Sequence, residues 1–211
     1  SLPYQSLARI ARKGSGAKIG AELMPTRREF LRAGGILAAG LLIANRTSAS
    51  VIRPGSGSII EIGMKSDLMG SHVWFDPIGL LIKPGQTERW ICVENVHTVT
   101  AYHPSNGNRS LRIPEKAAPW DSGFLQPGGK FEYTFMEEGV YDYFCLPHEV
   151  AGMVGRIIAG RPAGPGALPY DYYKGRPGTA DWLPVRPAAQ KAFPSGEQIM
   201  NEKEIRYELK E

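Results

Sequence analysis

Cys145, His148 and Met153 fall within nine residues, at the spacing Cys-x2-His-x4-Met, with an apolar run on each side of them. Residues 141–144, Tyr-Asp-Tyr-Phe, precede the thiol as an aromatic strand pattern, and residues 154–158, Val-Gly-Arg-Ile-Ile, follow the thioether as a second one. A chain written this way must carry three metal-capable side chains on one short loop between two strands, which commits it to a β fold with an ordered loop at one end. A thiolate, an imidazole and a thioether are soft or borderline donors, a set that suits copper, and a second imidazole would complete a Cys, two-His and weak axial Met site. His97, in Val96-His97-Thr98-Val99 on an earlier strand pattern, offers that imidazole.

From residue 59 onward the chain reads as short strands with frequent turn punctuation. Residues 58–65 predict a first strand, 73–75 an edge piece before Asp76-Pro77, and 80–83 a strand entering the Pro84-Gly85 turn. Strands follow over 87–95 and 96–102, then an irregular insert over 103–123 rich in Pro, Asn and Ser. Phe131, Tyr133 and Phe135 alternate with polar residues, the mark of a half-buried strand, and 139–144 and 154–158 flank the ligand loop. This number of short strands, with Gly (25) and Pro (17) high together, predicts an all-β, Greek-key β-sandwich rather than a helical protein.

Four segments together resemble the cupredoxins, in particular the plastocyanin, pseudoazurin and halocyanin branch. They are Tyr141-Asp-Tyr-Phe-Cys145-Leu-Pro-His148, Gly152-Met153-Val-Gly, His97-Thr98-Val99, and Lys83-Pro84-Gly85-Gln86-Thr87 leading into Trp90. The resemblance spans roughly residues 59–160 and rests on the ligand loop, since the Pro-Gly turn is weak alone. It implies a cupredoxin-like sandwich holding one type 1 copper ion on His97, Cys145, His148 and Met153, with Met153 as the long axial ligand. It also implies that His148 protrudes through an apolar surface and passes electrons to and from protein redox partners docking there. Many relatives have Asn after the first ligand histidine, tying the two ligand loops together; Thr98 stands there in this chain, with a hydroxyl able to make a similar bond.

The charge distribution separates a leader from the body. Of 25 Lys and Arg, eight lie in residues 1–49 against only Glu22 and Glu29, so the formal charge of +4 belongs to the leader and implies no nucleic-acid partner. Within it, Arg27-Arg28-Glu-Phe-Leu runs into a Gly/Ala-diluted apolar stretch ending near Ala44, and Thr47-Ser48-Ala49 offers small residues for cleavage. That resembles a twin-arginine export signal. Its apolar run is too short to span a bilayer comfortably, and it would hold the protein at a membrane only if retained. The organisation expected is a leader over 1–49, a copper-binding domain over 50–160 and, after Arg161-Pro-Ala-Gly-Pro-Gly, an irregular extension over 161–211, with 170–193 an extended segment laid on the barrel and 197–211 a short, charged, solvated helix.

Export would permit a disulfide, but Cys145 has a use as ligand, leaving Cys92 as a buried thiol that behaves as a small hydrophobe. His103 reads as a loop residue against Pro104 rather than an extra ligand, and His72, near Asp76, as a surface residue. Multicopper oxidases and copper nitrite reductases place a histidine beside the blue-copper cysteine; here its neighbours are Phe144 and Leu146, and the four histidines form no second cluster. A periplasmic one-electron carrier, not an enzyme, is therefore expected. A periplasmic copper-delivery protein using the same ligands is the alternative, and zinc ranks last because Met is a poor zinc ligand.

Overall fold

The computed structural model describes residues 59–208, which contain nine strands in two sheets and two short α-helices. The strands in chain order are β1 (Ile60–Ser66), β2 (Val73–Asp76), β3 (Gly79–Ile82), β4 (Gln86–Cys92), β5 (Thr100–Ala101), β6 (Lys130–Phe135), β7 (Gly139–Phe144) and β8 (Val154–Ala159), with β9 (Glu204–Ile205) following helices α1 (Pro187–Ala192) and α2 (Gly196–Glu202). The first sheet runs β2-β1-β4-β6 and the second β5-β7-β8-β3-β9. Pairing is antiparallel except for β1 with β4 and β3 with β8, where the chain crosses between sheets. The all-β sandwich expected from the sequence is the observed fold. Residues 1–49, where a leader with Arg27 and Arg28 is expected, lie outside the described residues.

Strand β4 shows how the pattern becomes structure. Glu88, Trp90 and Cys92 turn inward and are buried, while Arg89 and Ile91 between them face outward and are half-buried. Trp90 meets Tyr143 of the opposite sheet edge-on at 5.3 Å, and an aromatic cluster grows from it through Trp120, Phe131 and Phe135. Rings of this size bury large apolar areas and gain a further increment from edge-to-face contact. Opposite Tyr143 stands Gly155, where any Cβ would lie 2.3 Å from the tyrosine ring, so only glycine lets β8 pass there.

Strands β7 and β8 break the alternation: all six residues of each are buried. Their inward residues, Tyr141, Tyr143, Ile157 and Ala159, join the main core. Their outward residues are covered by the C-terminal extension. Phe144 and Val154 pack with Val185, Ala189 and Phe193, and Val140 and Ile158 pack with Ile199.

Three expectations need correction. The strand expected over residues 96–102 shrinks to Thr100–Ala101, because neighbouring backbone donors are used elsewhere: Thr98 N–H points at Cys145 Sγ (3.3 Å) and Val99 N–H at Ser122 Oγ (2.8 Å). The extension contains α1, which begins on Pro187, a residue whose fixed φ suits the first helical position. The terminal helix stops at Glu202 instead of running toward residue 211, and it is not solvated all round, since Ile199 is fully buried. Ser195 and Gln198 close its start as a reciprocal capping box, and the chain then adds β9 to the edge of β3.

Candidate metal centre

Cys145 follows β7 and Met153 precedes β8, so the pairing of these strands brings the two ends of the ligand loop together: Cys145 N–H donates to Met153 carbonyl at 3.0 Å. Between them His148 carbonyl accepts from both Ala151 (3.0 Å) and Met153 (3.1 Å), winding residues 149–151 into one tight turn. Gly152 closes that turn at φ 86°, a conformation that costs glycine little. His97 comes from the other side of the end of the sandwich, held by two backbone bonds to Leu125 (3.1 and 2.8 Å).

The result is a triangle of donor atoms. His97 Nδ1 and His148 Nδ1 lie 3.1 Å apart, and Cys145 Sγ lies 3.3 Å from His148 Nδ1 and 3.6 Å from His97 Nδ1. An ion at the middle of such a triangle sits about 2 Å from each corner, the length of a metal–imidazole bond and slightly under a metal–thiolate one. Among the described residues this trio is the one group of three or more His, Cys or acidic side chains with convergent ligand atoms. Met153, the fourth residue expected there, is fully buried at the end of the same loop. One sulfur and two imidazole nitrogens, with a thioether alongside, fit copper chemically.

Burial governs the electrostatics. It holds the His97 pKa down to about 4, with the neighbouring His148 adding to the effect, and it lowers that of His148 as well. Both rings are thus neutral at pH 7, the form in which imidazole binds a metal. Burial also pushes the Cys145 thiol up to about 11, against the opposing pull of hydrogen bonds from Thr98 and His148. A metal taking the thiolate must therefore displace a proton. Nε2 of His97 is buried with no hydrogen-bond partner among the described residues.

Thr98 does make the tie between the ligand loops. Its hydroxyl accepts from Leu146 N–H at 2.7 Å and lies 2.9 Å from Thr100 Oγ1, which in turn reaches Asp121 at 3.1 Å. The other candidates stay outside the triangle. Cys92 is buried with Sγ 3.3 Å from Leu125 carbonyl, and neither cysteine is in a disulfide. His103 Nδ1 accepts from the Ser105 backbone N–H at 3.1 Å, and exposed His72 pairs with Asp67 at 3.0 Å rather than with Asp76. The sequence reading passed over Glu149, Tyr102 and Arg109, which form a buried polar cluster against the ligand loop. Their contacts join residues some 40–47 apart, and no local spacing announces them.

Residues 62–160 match the family model of copper binding proteins described as the plastocyanin/azurin family. A plastocyanin of Scenedesmus fuscus is 31% identical over 87 residues, which are 39% of this chain and 83% of that one. The chloroplastic plastocyanin of Tetradesmus obliquus is 29% identical over 136 residues (60% of this chain, 78% of that one), and the pseudoazurin of Methylorubrum extorquens is 26% identical over 127 (59% and 75%).

Proposed function

Because the chain belongs to the plastocyanin/azurin family of copper-binding proteins, we propose that it is an exported one-electron carrier that holds a single copper ion on His97, Cys145, His148 and Met153. The observation that carries this reading is the triangle of Nδ1, Nδ1 and Sγ atoms, with edges of 3.1 to 3.6 Å, beside a buried methionine. Copper bound there would supply the one-electron couple. The chain's own residues do the rest. Cys145 gives up its proton to become a ligand, and Thr98 N–H points at the sulfur to support its negative charge. The Thr98 hydroxyl and the Leu125 ladder fix the positions of the donors, which limits reorganisation when the charge changes.

His148 is the half-buried member of the trio, and exposed Leu146, Pro147 and Val150 surround its place in the loop. An apolar rim of this kind desolvates easily, so a protein donor or acceptor docking there would approach the imidazole edge without intervening water. Export rests on the leader: Arg27-Arg28-Glu-Phe-Leu-Arg leads into the apolar run, and the homologous plastocyanins and pseudoazurin support a place outside the cytoplasm.

A spectrum of the copper-loaded protein tests the core of this reading. An intense visible thiolate-to-copper band is expected, lost in Cys145→Ser and retained in Cys92→Ser; loss of colour in the Cys92 variant would require a different site. Voltammetry separates an electron carrier from a copper-delivery protein. The carrier gives a reversible one-electron wave, whereas rapid copper loss to a chelator without one would favour delivery. Met153→Gln should lower the potential and Met153→Leu raise it, each ~59 mV being a tenfold change in the one-electron equilibrium. An unchanged potential in both would make Met153 a core residue only. Lys at both Arg27 and Arg28 should leave the precursor in the cytoplasm on fractionation.

A further inference from the structure

The ligand loop is held in part by the C-terminal extension. Glu149, the residue after His148, turns its carboxylate inward, and its side chain is only 1% exposed. Oε1 accepts from Tyr102 Oη–H at 2.8 Å and faces the Arg186 backbone N–H at 3.4 Å. Oε2 faces Arg109 Nη2 at 2.7 Å, as an ion pair without a well-directed hydrogen bond, and Arg186 Nε at 3.9 Å. Arg109 lies over the Phe144 ring at 4.9 Å, and Tyr102 packs on the same ring at 4.5 Å, so the cluster grips the chain on both sides of Cys145 and His148. Arg109 itself is paired with Leu183 of the extension, with Ser110 N–H donating to Leu183 carbonyl at 3.0 Å.

From Arg186 the extension enters α1, which reaches the loop a second time. A Cβ placed on Gly152 would stand 3.3 Å from Ala192 Cβ and 3.4 Å from Ala188 carbonyl. The extension therefore touches the loop at residues 149 and 152, the stretch that separates His148 from Met153.

We propose that Glu149 is a positioning residue through which the C-terminal extension sets the placement of His148 and Met153 and slows release of the metal; this rests on reading those residues as copper ligands. A buried carboxylate is costly unless charges and donors compensate it, so the cluster favours one arrangement of the loop. That arrangement carries His148 on one side of the turn and Met153 on the other. A purely structural ion pair would affect unfolding alone. A positioning residue also affects what the ligands do.

The test uses the full-length copper-loaded protein and compares Glu149→Ala, Glu149→Gln and Tyr102→Phe with the wild type. The readouts are the optical and EPR spectra, the reduction potential and the rate of copper transfer to a chelator. In Glu149→Ala the thiolate-to-copper band is expected to persist with altered band ratios. Copper loss should accelerate about 10–100-fold, the range found when residues supporting metal ligands are removed. Glu149→Gln, which keeps the shape and one acceptor oxygen but not the charge facing Arg109, should fall between the alanine variant and the wild type. Tyr102→Phe deletes one hydroxyl from an otherwise intact core, and it should shift the same readouts in the same direction but less, even if the alanine variant fails to fold. Spectra, potential and copper-release rate all unchanged in the folded variants would overturn the proposal. Failure of the underlying reading looks different, because the wild type itself would then show no intense visible band.

Discussion

The outer faces of the two sheets carry the same electrostatic device under opposite conditions. On the first sheet, Arg89 of β4 lies between Glu61 of β1 (3.1 Å) and Glu132 of β6 (2.7 Å), each directly opposite it in register. On the second, Asp142 of β7 lies between Arg156 of β8, its register partner, and Arg112 from the insert, both at 2.7 Å. The distances are alike and the surroundings are not. Arg89 is 27% exposed and its acids about half exposed, whereas Asp142 and Arg112 are sealed and Arg156 nearly so. The extension makes the difference. Arg112 donates to Gly166 carbonyl at 2.6 Å and Arg156 to Pro194 carbonyl at 3.0 Å, so the second triad fastens the extension as well as the sheet. A charge triad shared with solvent contributes little, while a buried one must stay complete.

The largest way to break this comparison is to remove residues 161–211 and uncover the second sheet. Val140, Phe144, Val154 and Ile158 would lose their cover, at about 1.5–3 kcal/mol for each large side chain, and the second triad would lose its carbonyl acceptors. Against a total stability of about 5–15 kcal/mol, the truncated protein should show no cooperative melting transition at room temperature or above. Calorimetry checks this; a sharp transition near that of the full chain would make the extension an ornament.

Next in size is Asp142→Ala, which leaves two buried guanidinium groups without their acid. A loss of about 3–5 kcal/mol is expected from denaturant titration.

Glu88 sharpens the contrast from the inner face of the first sheet. It is fully buried, accepts one bond from Ile60 N–H at 3.0 Å and leaves Oε1 unpaired among the described residues. Burial pushes its pKa up to about 7 from an ordinary value near 4.5. A raised acid contributes stability that is fully present below the unfolded pKa and is lost as pH rises through the folded one. Glu88→Gln should therefore match the wild-type apoprotein at pH 4 and be more stable at pH 8, by about 1–3 kcal/mol. Equal stability at both pH values would mean that the carboxylate is solvated. The smallest effect belongs to Arg89→Ala, whose melting temperature should stay within the scatter of the measurement, because both acids remain in water.

These differences also mark where the sequence was readable. Alternation at Phe131, Tyr133 and Phe135 reported β6, since one face of that sheet meets water. The spacing of Cys145, His148 and Met153 placed three candidate ligands on one loop because the relation is local. What escaped was long-range. The shortness of β5 depends on Cys145 Sγ, 47 residues from Thr98, and the burial of Glu149 depends on Arg109 and Tyr102, 40 and 47 residues away. The extension reads as a segment laid on the barrel, but Pro and Gly dominate its first part and hide which residues it covers. Its fit becomes visible only once Val140, Phe144, Val154 and Ile158 are seen to face outward with nothing else to cover them. One local signal was there to be used: Ser195 and Gln198 stand at capping-box spacing.

Strand β9 is only two residues long, yet it decides what the protein offers to its neighbours in a crowded solution. It lies on β3, whose Gly-Leu-Leu-Ile backbone would otherwise end the sheet as a bare apolar ledge of unpaired amides and carbonyls. Such ledges recruit strands from other molecules. With β9 in place, the sheet instead ends in a brief segment flanked by Lys203 and Arg206, whose guanidinium reaches back to Glu204 at 2.6 Å and Asp76 at 3.5 Å. A charged edge of two residues gives an incoming strand little to grip. Strand β9 thus covers the edge of β3 and leaves little for a second copy of the chain to pair with.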